Sequence, residues 1–79
     1  MAADTHYRIY EHRLDGMGMG SYHEPTYDDR GEAIAAAERL TRRYGIYCQY
    51  RVEAWYGDGS RPHRIVIIWN SIGQKEWVR

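Results

Sequence analysis

The 79-residue sequence contains no phenylalanine, one cysteine (Cys48), one lysine (Lys75), two prolines and no excess of charge, its 11 acids matching its 11 bases. Each shortage excludes something. A lone cysteine cannot close an internal disulfide, which fits a reducing, cytoplasmic setting. With no net charge and hardly any lysine, an electrostatic grip on nucleic acid is not the default expectation. No segment reaches the roughly 18 apolar residues of a membrane-spanning helix. The opening Met1-Ala2-Ala3-Asp4 carries an acid where a secretory signal carries a base, and no apolar stretch follows it. At this length the expectation is one domain over residues 1–79, burying about 60% of its unfolded surface and leaving little room for a deep pocket beside a core.

In place of phenylalanine there are eight tyrosines and three tryptophans. These are the aromatic residues that tolerate one wet edge, at the rim of a small core or at a binding surface. Their arrangement follows strand spacing. Thr5 to Leu14 alternates, with Tyr7 and Ile9 on one side and Tyr10, His12 and Leu14 on the other, which predicts a strand. Gly16, Gly18 and Gly20 then make a hairpin loop tipped by Met17 and Met19, and Ser21 to Tyr27 reads as the returning strand. Asp29 followed three residues later by Glu32 marks a helix start. Ala33, Ile34, Ala37, Leu40, Thr41 and Tyr44 recur at helical spacing, and Gly45 sits at the expected C′ position. This predicts a helix over 30–44.

A second long alternation follows. Cys48, Tyr50, Val52, Ala54 and Tyr56 share one face, and Tyr47, Gln49, Arg51, Glu53 and Trp55 share the other. Gly57-Asp58-Gly59-Ser60 is a turn, and His63 to Asn70 is apolar on both faces, the pattern of a central strand. Lys75 to Val78 can add a last edge strand. The predicted fold is α+β: an antiparallel sheet of four strands, or five, in the order ββαββ(β), with the helix packed on one face.

One helix cannot cover two sheet faces. The face carrying Tyr47, Arg51 and Trp55 is left to display aromatic rings and arginine unless the hairpin or the tail folds over it, and large apolar patches of that kind mark interfaces. Tyr47, Arg51 and Trp55 are therefore the expected partner-binding residues, with Met17 and Met19 on the loop tip and Arg42 and Arg43 at the helix end as further candidates.

Other chemistries find less in the sequence. A phosphate loop needs a helix straight after its glycines, and here a strand follows. His6 and His12 lie about 20 Å apart on a strand, too far to share an ion, and no pair has zinc-ligand spacing, so no metal or cofactor is expected. Cys48 falls mid-strand on the helix-facing side, where a cysteine is an inert small hydrophobe. No enzymatic activity is expected. Nucleic acid is the rival partner: Arg39, Arg42 and Arg43 cluster near Arg51, Arg61 and Arg64, and aromatic rings on a sheet can stack bases. A homodimer is a further option. Helix-dipole complementarity and a Glu38–Arg42 pair at i,i+4 offer a purely structural account of the helix-end arginines.

A compact αβ chain with one capped helix from Asp29 to Gly45, a sheet rich in Arg, Tyr and Trp, and no catalytic motif resembles the small anti-CRISPR proteins encoded by phages and mobile elements. The resemblance is one of type over the full length and transfers no individual residue. It implies a stoichiometric inhibitor that docks on a multi-subunit type I CRISPR effector complex (Cascade) and blocks recruitment or hybridisation of target DNA. Many such inhibitors are acidic DNA mimics; the neutral charge here favours instead a contact surface mixing aromatic residues with arginine.

Overall fold

The computed structural model describes residues 5–14, 20–58 and 61–72. The elements are β1 (Thr5–Arg13), β2 (Ser21–Tyr22), α1 (Arg30–Tyr44), β3 (Cys48–Asp58) and β4 (Arg61–Asn70). The strands form one antiparallel sheet in the order β2-β1-β3-β4 with α1 on one face, the α+β architecture expected from the sequence. The additional strand expected over Lys75–Val78 lies outside the described residues.

The two alternating segments meet each other. β1 and β3 pair without a break from Thr5↔Tyr56 to Arg13↔Cys48, so both patterns keep phase along the centre of the sheet. The returning strand is shorter than Ser21–Tyr27: only Ser21 and Tyr22 join the ladder. Pro25 has no N–H to donate, so the chain leaves the edge and touches it again through a bridge at Tyr27, which exchanges two backbone hydrogen bonds with Tyr7 at 2.7 and 2.9 Å.

Helix α1 starts as its sequence dictates. The Asp29 carboxylate accepts a hydrogen bond from the Glu32 N–H at 2.9 Å while Asp29 itself stays extended. Its end differs from expectation. Gly45 is right-handed (φ −62°) and donates its N–H to the Thr41 carbonyl at 2.8 Å. The glycine is needed for room: a Cβ there would collide with the Thr41 carbonyl oxygen. No ion pair joins Glu38 to Arg42 among the described residues. The buried face of the helix is Ala33, Ala36 and Ala37, whose small side chains bring it close to Ile9, Tyr50 and Val52.

β4 pairs with β3 along one side, and its other side is the end of the described strand order. A bulge shapes its two apolar faces. Val52 pairs with Trp69 but Glu53 pairs with Ile67, so Ile68 is an extra residue. Trp69 consequently joins Ile68 against the helix-side core instead of sharing a face with Ile65 and Ile67, which remain on the other face, 47% and 37% exposed.

Candidate functional site

The face opposite the helix is a grid set by register. His6, Trp55 and Ile65 form one row across β1, β3 and β4; Arg8, Glu53 and Ile67 form the next; Tyr22, Tyr10 and Arg51 follow across β2, β1 and β3. At the centre is Glu53, 2% exposed. A buried carboxylate is costly unless its oxygens are satisfied, and three donors converge on this one. Tyr22 Oη and Trp55 Nε1 both donate to Oε1 at 2.9 Å, and Arg51 Nε donates to Oε2 at 2.7 Å. The pairing with Arg51 is half-wet, since the arginine side chain keeps 35% of its exposure.

Around this centre the rings are already occupied. The Arg8 guanidinium lies 4.6 Å from the Trp55 ring centroid and 5.2 Å from that of Tyr22, and Arg51 lies 4.3 Å from that of Tyr10. Tyr22 meets both Tyr10 and Trp55 edge-to-face, and His6 tilts against Trp55 at 5.7 Å. Each cation–π contact contributes about 0.5–1 kcal/mol, so their chief effect is to hold the side chains in fixed positions. Burial, and then the hydrogen bond to Glu53, push the Tyr22 hydroxyl above its ordinary pKa. Arg8 Nε is buried with no hydrogen-bond partner.

The expected binding residues are dispersed. Trp55 lies on the open face as expected but is only 9% exposed, because Tyr22 from the N-terminal hairpin, Arg8 and His6 cover it. Arg51 is partly exposed and fixed by Glu53 and Tyr10. Tyr47 is 69% exposed but precedes β3, in the turn after α1, beside Ile46 at 84%. Its carbonyl accepts from the N–H of Leu14 at 2.8 Å, so Tyr47 sits at one end of the sheet, beyond the last β1–β3 pair. Arg42 and Arg43 are exposed on the last turn of α1, and Met17 and Met19 lie outside the described residues.

Glu53, Arg8 and Tyr22 were missed by sequence reasoning. For Glu53 a signal exists: an acid at the middle of Arg51-Val52-Glu53-Ala54-Trp55 shares its strand face with an arginine and an indole two residues away on either side. Arg8 and Tyr22 reach the site through cross-strand register, which no local pattern specifies.

On the helix side of the sheet, His23 Nε2 meets Glu11 Oε1 at 2.7 Å and the His23 ring stacks edge-on against Tyr50 at 5.8 Å. Burial, followed by a hydrogen bond with Cys48 and the nearby charge of Glu11, raises the Tyr50 hydroxyl well above its ordinary pKa. Among the described residues, no group of three or more His, Cys, Asp or Glu side chains converges in a way that could hold a metal ion, and no helix is long and apolar enough to cross a membrane. Comparison with known protein families, with curated proteins and with solved structures finds no match.

Proposed function

We propose that this chain is a non-enzymatic protein-binding module that acts by occupying a surface of its partner. The observation that carries the reading is the pair of exposed isoleucines, Ile65 and Ile67, set directly beside a side-chain lattice that is already ordered. Burying what remains exposed of each isoleucine contributes about 1 kcal/mol. The preset Arg, Tyr and Glu groups lose little further freedom on docking, which lowers the cost of association. In the setting that the resemblance implies, the partner is a type I CRISPR effector complex in a bacterial cytoplasm, and docking blocks access of target DNA.

Binding of nucleic acid on this face is less favoured. The Trp55, Tyr22 and Tyr10 rings that would stack bases already hold guanidinium groups. The test is capture of partners from a host lysate by the wild-type chain and by the double substitution Ile65→Asp with Ile67→Asp, quantified by mass spectrometry. A multi-subunit partner retained by the first and lost by the second, at equal thermal stability, is the expected result. An unchanged set of captured proteins, a dimer by light scattering, or DNA binding that falls steeply with salt would each refute it.

A further inference from the structure

A second surface lies on the other layer of the molecule, between the C-terminal half of α1 and the 23–27 segment that links β2 to the helix. A groove of about 420 Å³ lies there, its accessible apolar lining supplied by Leu40, Tyr27 and Tyr44, with the core residues Ile9 and Ala36 buried behind them. Arg39 and Arg43 line its helix side, four residues apart and so on one face of the helix. Both are exposed, and no carboxylate holds either one among the described residues; Arg43 rests over its neighbour Tyr44 at 5.5 Å. Among the described residues Glu24 is the one acid lining the groove, and His23 is tied to Glu11. An accessible apolar lining beside two guanidinium groups that no described carboxylate holds is complementary to a carboxylate flanked by aliphatic side chains.

We infer that this groove takes a short extended acidic segment of a protein partner, one aliphatic side chain settling on Leu40 and Tyr27 and one carboxylate between Arg39 and Arg43. The inference deepens the protein-binding reading and rests on it. The dimensions agree: the helix rises about 12 Å from Ala36 to Tyr44, the span of roughly four extended residues. Of the helix-end arginines that the sequence offers as binding candidates, Arg43 borders this groove together with Arg39, and Arg42 is not among its lining residues.

The probe is a fluorescein-labelled peptide of alternating Leu and Asp, followed by anisotropy. The expected result is saturable binding that weakens by about tenfold or more in the double substitution Arg39→Ala with Arg43→Ala, and equally when Asn replaces Asp in the peptide. Circular dichroism checks that the variant, altered only at exposed positions, stays folded. Ile65→Asp with Ile67→Asp should leave peptide binding unchanged, so failure of the groove and failure of the open sheet face are read separately. Absence of saturable binding, binding indifferent to both arginines, or single-stranded DNA binding more tightly than the peptide would overturn the assignment.

Discussion

At the scale of single residues, Glu53 is the group on which most others depend. Its carboxylate lies under the open face, and removing it strands the Tyr22 hydroxyl, the Trp55 indole N–H and the Arg51 guanidinium together. Glu53→Ala should destabilise the fold by about 3 kcal/mol, within the range for breaking a buried charged pair. Glu53→Gln keeps an acceptor for some of these donors and should cost less, about 1–2 kcal/mol. Urea denaturation of the two variants measures the difference, and equal midpoints for wild type and Glu53→Ala would show that the carboxylate is not an organising centre.

At the scale of elements, the helix depends on its two ends. Asp29→Ala removes the cap of the Glu32 N–H and should cost about 1 kcal/mol. Gly45→Ala should also destabilise, because the added methyl meets the Thr41 carbonyl. Thermal unfolding of each single variant decides both. The helix, its cap and the phases of β1 and β3 were legible because each is written in local spacing: Asp29 to Glu32, Ala33 to Ala37, and the unbroken alternations around Ile9 and Val52. The bulge in β4 was not. An apolar run such as Ile65-Val66-Ile67-Ile68-Trp69 does not reveal which residue is the extra one, and only pairing with β3 decides. The site was half legible for the same reason. Alternation put Arg51 and Trp55 on one face, but the cover over Trp55 comes from Arg8 and Tyr22, brought there by pairing between distant segments.

At the scale of the whole molecule, the two perturbed tyrosines set an alkaline limit. Tyr22 and Tyr50 both have hydroxyls raised above the ordinary value of 10.0, each first by burial. The folded protein therefore keeps protons that the unfolded chain releases as pH passes that value. Their contribution to stability is complete below it and is lost as pH rises through the folded-state values. Urea midpoints should fall between neutral pH and about pH 11, and fall less steeply in Tyr22→Phe, which has no such proton to lose. A parallel decline in both proteins would remove Tyr22 from the account.

The extra residue in β4 has a consequence for how such a surface can change over generations. Because the bulge turns Ile68 and Trp69 inward together and leaves Ile65 and Ile67 outward, inheritance of the fold and, under the proposed binding role, adaptation to a changing partner fall on different positions of one strand. Drift at the outward pair can retune recognition while the inward pair keeps the scaffold intact.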